Sequence, residues 1–293
     1  MRLTTNTRPR TWLYNRRVRK KSREFQPSTH YPGPDGRRKV GLARALSKMG
    51  ICSRSQATAI ILAGRVRLNG SVKRDPETPV HFGADRIEVD GRPGVAANKI
   101  YIVLNKPCGA VTTASDEKGR ETVYDFLRSA RDASQAASYP TSWIAPVGRL
   151  DKASEGLLLL TNDSEWAAGI LAPETHLDKT YHVQIGRVAD DPLLASLRKG
   201  VENDGEKLRV KSVNRVRSGE KNSWLEIVLD EGRNRQIRRM LQTLGVPVLR
   251  LIRVAIGPLA LGDLPKGASR PLTAPEKILL DQALFRRGRK PVL

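Results

Sequence analysis

An α+β protein in two parts, a small helix–helix–sheet unit followed by a larger domain, is the organisation expected of these 293 residues. Three features point to it. Two short helical patterns run into an Asn69-Gly70 turn flanked by strand-like residues. A Gly/Pro-rich joint, GRPGVAAN, then separates them from a new alternating pattern that opens with KIYIVLNKP. Further on, VGRLDKASEGLLLLTND places a loop between two strand-like runs ahead of a helix. A hydrophobic content of 39% can supply a core to each part.

Taken in order, RPRTWLYNRRVRKKSR and PSTHYPGPDG give a basic segment and a Pro/Gly linker without apolar periodicity, so residues 1–37 are expected to be a disordered arm. It either solubilises the chain or contacts RNA, with Trp12 and Tyr14 stacking on bases. It lacks the apolar run of a secretory signal, although its Arg-rich, acid-poor character also suits an organelle transit peptide. The small unit spans 38–97. Leu42, Leu46 and Met49 share a helical face that Gly50 ends, and Ser53 with Gln56 forms a capping box before Ala57, Ile60 and Ile61. Gly64 ends this second helix, RVRLNGSV reads as a hairpin, and Asp90-Gly91 marks another turn. The large domain covers 98–280, with an exposed Ser/Ala-rich excursion at 129–142, and a basic tail fills 281–293.

Inside the large domain, 143–147 reads as a strand, and 157–160 as a second one buried on both faces, because its leucines do not alternate with polar residues. Asp163 or Ser164 caps a helix bearing Trp166, Ile170 and Leu171, with Pro173 at its end. Asp151 therefore sits in a loop pinned at both ends, as a catalytic group requires, although a lone loop aspartate is most often a turn or cap former. A later helix carries Ile237, Met240, Leu241 and Leu244 on one face, with Gly245 as its stop. At about 100° per residue Arg238 flanks that stripe and suits a half-buried ion pair. Arg235 and Arg239 lie nearly opposite and suit phosphates, the plain alternative being solvated surface charge.

Lys+Arg of 52 against Asp+Glu of 30 gives a net charge of +22, which favours a polyanionic partner, nucleic acid first. Membranes fit poorly, since no apolar run nears the roughly 20 residues needed to span and no basic helix shows an aromatic face. Cys52 and Cys108 are far apart and His30, His81, His176 and His182 are scattered, so neither a disulfide framework nor a metal site is expected, and a reducing cytoplasm fits. Arg44 and Lys48 share a face of the first helix away from its apolar stripe. Arg54, Arg65, Arg67, Lys73 and Arg74 cluster on the second helix and hairpin.

Placed in that arrangement, ARALSKMGICSRSQATAIILAGRVRLNG resembles the S4 RNA-binding domain, which presents cations to structured RNA. GRLDKASEGLLLLTND is similar to the signature block of the pseudouridine synthases that pair an S4 domain with a synthase domain and modify 16S or 23S ribosomal RNA. LNKPCGAVTT resembles that family's opening strand and turn, KTYHVQI its tyrosine motif, and DEGRNRQIRRMLQTLGVPVLRLIRVAIG its arginine-bearing helix and following strand. The resemblance covers about residues 40 to 275 and implies a synthase domain on a mixed, mainly antiparallel sheet with flanking helices.

It further implies a reaction needing neither cofactor nor metal. Asp151 is implied to be the catalytic carboxylate, acting either as nucleophile at ribose C1′ or as base at C2′. Tyr181 is implied to stack on the uracil and to share in removing the C5 proton, while Arg238 pairs with Asp151. Arg149 is implied to fill the gap left by the flipped base. GRNRQIRRM and LRLIRV look closer to the large-subunit enzymes, which favours 23S RNA, free or in an assembly particle, and a monomeric enzyme is expected. Glu155 invites a carboxylate pair as in glycosidases, but a loop hydrogen-bonding role suits it better. The competing reading is a non-catalytic S4-type RNA-binding or ribosome-assembly factor that keeps the synthase fold.

Overall fold

The computed structural model describes residues 39–82, 84–113, 116, 118–134 and 143–288. The arm at 1–37, residues 135–142 of the expected excursion and 289–293 of the expected tail lie outside the described residues.

The N-terminal unit runs β1 (Val40–Gly41), α1 (Leu42–Lys48), α2 (Arg54–Leu62), β2 (Val66–Leu68), β3 (Ser71–Lys73), β4 (Pro79–Val80), β5 (Ile87–Val89) and β6 (Arg92–Pro93). The capping box forms as the sequence indicates: Gln56 N–H donates to Ser53 Oγ at 3.1 Å and Ser53 N–H to Gln56 Oε1 at 2.9 Å, which satisfies two orphan amides of α2. Asn69 (φ 51°) and Gly70 (φ 80°) make the left-handed pair that turns β2 into β3. β2 then pairs with β5, giving the order β3-β2-β5-β6. The core of Leu42, Leu46, Ile61 and Val66 closes within this unit.

The C-terminal unit runs β7 (Tyr101–Lys106), α3 (Val123–Ser134), β8 (Ala145–Pro146), β9 (Glu155–Thr161), α4 (Ser164–Leu171), a 3-10 turn (Pro173–Thr175), β10 (Lys179–Ile185), α5 (Asp191–Lys199), β11 (Val201–Asn203), β12 (Glu206–Leu208), β13 (Ser212–Ser218), β14 (Ser223–Leu229), α6 (Gln236–Thr243), β15 (Val248–Ile256), β16 (Leu259–Ala260), β17 (Ser269–Pro271) and α7 (Ala274–Gly288). The sheet order is β13-β14-β10-β15-β9-β7-β17, with β8 also on β9 and β16 on β15. Among the described strands β9–β15 is a parallel pair in an otherwise antiparallel ladder, so the sheet is mixed and mainly antiparallel.

β9 is buried along its whole length. Leu157 and Leu159 pack on one face with Trp166, Ile170 and Leu280, while Leu158 and Leu160 pack on the other with Val123, Leu127 and Leu150. This two-sided burial is the physical meaning of the unbroken leucine run. Gly156 (φ +103°) sits where β9 meets β15; a Cβ there would lie 2.2 Å from the Arg253 carbonyl oxygen. No other residue type fits so close a backbone approach.

Three expectations change. The strand over 143–147 contracts to Ala145–Pro146, since Pro146 has no N–H with which to extend a ladder. The expected tail at 281–293 begins as helix: α7 continues to Gly288, anchored by Leu284 in the Trp166 cluster and by Trp166 Nε1–H donating to Asp281 at 2.8 Å. The expected excursion at 129–142 likewise begins inside α3. No helix among the described residues is long and apolar enough to cross a membrane.

Candidate active site

Asp151 stands at the junction of sheet and loop, and backbone contacts hold it there. The Lys106 ammonium, wholly buried at the end of β7, donates to the carbonyls of Asp151 (3.1 Å), Ser154 (2.8 Å) and Pro107 (3.0 Å). Thr112 Oγ1 donates to the Leu150 carbonyl at 2.8 Å, Gly109 N–H to that of Lys152 at 2.8 Å, and Ser154 N–H to that of Asp151 at 2.9 Å. From α6, Arg238 donates to the Ala153 carbonyl at 2.8 Å. Five consecutive carbonyls, 150 to 154, are thereby occupied, and the Asp151 carboxylate remains one-third exposed at 33%. The loop is fixed and its functional group is left open.

Two guanidiniums come from the region of α6. Arg235 Nη1 lies 3.7 Å from Asp151 Oδ2. Arg238 is half-buried; desolvation and the neighbouring Arg235 push its pKa down, against the opposing pull of Asp151 and Cys108. Its Nε is buried without a hydrogen-bond partner. Burial likewise lowers Lys106 to about 8, although Cys108, Asp151 and Glu155 favour its charged form. The site thus concentrates positive charge around one carboxylate, an arrangement suited to an anionic substrate.

Tyr181 lies on β10, opposite Ile227 on β14 and Arg253 on β15, half-buried against the cluster that holds Leu150. It therefore shares a packed surface with the residue preceding Asp151. Arg149 is exposed on the same loop, after Gly148 at φ +75°.

Other expectations are corrected. The resting partner of Asp151 is Arg235, not Arg238, because Arg235 precedes α6 as its N-cap at φ 48°. Wheel geometry does not apply to a residue outside the helix, and the left-handed turn brings its side chain round to the loop. Arg239 is turned away from phosphates and into the protein: it donates to Asn203 Oδ1 at 2.7 Å and to Glu206 Oε2 at 2.8 Å on the β11–β12 hairpin beneath it. Glu155 is no loop residue. It opens β9, buried, and binds Arg250 through two hydrogen bonds of 3.1 Å and Lys266 at 2.6 Å. Burial raises its pKa, but these cations outweigh burial and leave it below its ordinary value.

On the N-terminal unit Arg44 and Arg54 are exposed and Lys73 is half-buried. Lys48 pairs with Glu165 of α4 at 2.5 Å, Arg65 grips Asp90 at 2.7 and 2.6 Å, Arg67 donates to the Gly70 carbonyl at 3.2 Å and Arg74 to that of Leu62 at 2.9 Å. Sequence reasoning did not single out Lys106, Arg250 or Arg253. The available signal was a cation inside an apolar strand run, as in IVLNK and LRLIRV. Arg253 is buried and donates through Nε to the Leu157 carbonyl at 2.8 Å, which stitches the β9–β15 seam.

Comparison with known proteins agrees with this architecture. The family pattern described as RNA pseudouridylate synthase matches residues 100–243, and that of the S4 domain matches 40–87. An RNA pseudouridine synthase of Aquifex aeolicus is 37% identical over 246 residues, 84% of this chain and 95% of its own. The ribosomal large subunit pseudouridine synthase B of Bacillus subtilis is 33% identical over 250 residues, 85% of this chain and 98% of its own. A crystal structure of a pseudouridylate synthase superimposes with a TM-score of 0.55 at 29% identity, covering 82% of this chain and 99% of that one. With an S4 unit in front of a mixed sheet that seats Asp151 in a caged loop, the chain belongs to the RNA pseudouridine synthases and is an enzyme of that family.

Proposed function

We propose that this synthase isomerises a uridine of ribosomal RNA, of the large subunit in preference to the small, with Asp151 as the catalytic carboxylate. The observation that carries the assignment of Asp151 is its cage: five held carbonyls and an open side chain flanked by guanidiniums. The large-subunit preference is supported by the printed name of the Bacillus subtilis relative. The RNA, free or in an assembling particle, docks on the S4 unit at 38–97 through Arg44, Arg54 and the hairpin cations, and a monomer acting in the cytoplasm suffices for both contacts.

The target base lies in a stack, so it must first be extruded, at a cost of a few kcal/mol that favours weakly paired sites. Arg149 fills the vacated space and Tyr181 stacks on the uracil. Asp151 then either attacks C1′ or removes the C2′ proton, and the N1–C1′ bond breaks. The base turns and C5 bonds to C1′, as the Asp151–C1′ bond breaks on the first route or as the proton returns to C2′ on the second; the C5 proton then leaves with help from Tyr181, and N1 gains a proton. Atoms and electrons balance without a redox partner. Arg238 and Arg235 place positive charge beside the carboxylate and the phosphates that approach it.

The test is Asp151→Asn in the full chain, with pseudouridines mapped in ribosomal RNA from cells carrying either form. Loss of one specific pseudouridine, with turnover down at least about 1000-fold and RNA affinity within a few fold, is expected. Turnover near wild type would reject Asp151, and an unchanged ribosomal RNA map would reject the substrate.

A further inference from the structure

Asn162 follows β9, has no exposed surface, and uses both ends of its amide on the joint between the two units. Ile100 N–H donates to Asn162 Oδ1 at 2.9 Å, and Asn162 Nδ2 donates to the Asn98 carbonyl at 2.7 Å. Its neighbours act on the same segment. Thr161 Oγ1 donates to the Ile100 carbonyl at 2.5 Å, and Asp163 Oδ1 lies 3.7 Å from Lys99.

The N-terminal unit meets this clamp from the other side. Ala97 N–H donates to the Met49 carbonyl at 2.9 Å and Lys99 to the Lys48 carbonyl at 3.3 Å. Gly50, left-handed at φ +71° after α1, backs onto the Asn162 amide so closely that a Cβ would lie 3.1 Å from Nδ2. The Lys48–Glu165 pair closes the outer rim between α1 and α4. The Gly/Pro-rich joint is therefore zipped to the strand that leaves the Asp151 loop.

We propose that Asn162 is a positioning residue for the isomerisation: it fixes the S4 unit at a set orientation to the Asp151 loop, so that RNA held by the S4 unit presents its target uridine at a fixed span. This rests on the RNA-modifying reading above. A buried asparagine with a merely local role would bond within its own strand or turn. This one bonds to Asn98 and Ile100, 64 and 62 residues away on the large-domain side of the boundary and next to the Ala97–Met49 and Lys99–Lys48 contacts that cross it, and its removal leaves one donor and one acceptor there without partners.

The experiment uses full-length enzyme and two RNAs, a long ribosomal fragment that reaches both units and a short hairpin carrying only the mapped uridine. For Asn162→Ala, KM on the long RNA should rise about tenfold with kcat unchanged, while both constants on the hairpin stay within about twofold. Spin labels at exposed Ser71 and Glu220 should show a broadened inter-unit distance. Because Asn162→Ala could impair folding, Glu165→Lys, which opposes Lys48 at the exposed rim, serves as a second variant and should raise KM on the long RNA about threefold. Equal losses on both RNAs, or an unchanged KM and distance in both variants, would overturn the proposal. Wild-type enzyme inactive on both RNAs would overturn the synthase reading instead, and with it this inference.

Discussion

The Asp151 loop and the β2–β3 hairpin are both rich in cations, yet their cations are placed differently. Around the loop Lys106 is buried and Arg238 half-buried, each bonded to main-chain carbonyls. On the hairpin Arg65 and Arg67 are exposed, one paired with a surface carboxylate and the other with a turn carbonyl. The first set specifies geometry, because a buried ammonium or guanidinium tolerates few arrangements. The second set offers charge in a form that salt and substitution alter by degrees.

That contrast is most exposed to failure at Lys106. Lys106→Met leaves the Pro107 and Ser154 carbonyls without a donor and the Asp151 carbonyl with Ser154 N–H alone, so stability should fall by about 3 kcal/mol, with activity lost in proportion to loop disorder. The pH dependence has a defined sign. Burial lowers Lys106 from its ordinary 10.5 to about 8, so between those values the unfolded chain binds more protons than the folded one. Wild-type stability should then rise with pH across that window, and the melting-temperature gap to Lys106→Met should widen with it. A gap that is constant from pH 7 to 10 would show that Lys106 does not titrate differently in the fold.

A finer division lies within the arginines near Asp151. Arg238→Ala should cut the single-turnover rate at saturating RNA by about 10- to 100-fold with affinity within a few fold, and Arg238→Lys should recover only part, for want of the planar fork. Arg235→Ala should lower affinity a few fold and leave that saturated rate within about threefold, if the contact with Asp151 belongs to the RNA-free state. The reverse split would make Arg235 the partner during chemistry.

The mildest effects are expected on the hairpin side. Replacing Arg54, Arg65 and Arg67 together with Ala should flatten the log–log salt dependence of RNA binding by up to about one unit per lost contact. Arg65→Ala alone should do least, since Asp90 already neutralises much of its charge. An unchanged slope in the triple variant would leave these residues as solvated surface.

Where local rules decide the structure, the sequence was sufficient. The Ser53/Gln56 capping box, the Asn69-Gly70 turn, the doubly buried leucine run and the Ile237/Met240/Leu241 stripe each follow from spacing alone. What stayed hidden depends on long-range contact. Nothing in GRNRQ announces that Arg235 adopts a left-handed cap, and nothing near Glu155 announces Arg250 and Lys266 about a hundred residues away in the chain. The partners of Arg239 are hidden for the same reason: a helical wheel shows which face is polar but not that a hairpin lies under it. At 143–147 the sequence does carry the reason for the shorter strand, because Pro146 cannot donate to a ladder.

The parallel seam between β9 and β15 also sets an order of events in the life of the chain. The bond from Arg253 to the Leu157 carbonyl joins residues 96 apart in sequence, whereas the core of the S4 unit closes entirely within residues 40–89. Local contacts form quickly and distant ones wait for loop closure. At a synthesis rate of roughly 5–20 residues per second, the strand that completes the seat of Asp151 emerges about 5 to 20 s after the loop it supports. A nascent chain can thus grip RNA before it is able to alter it.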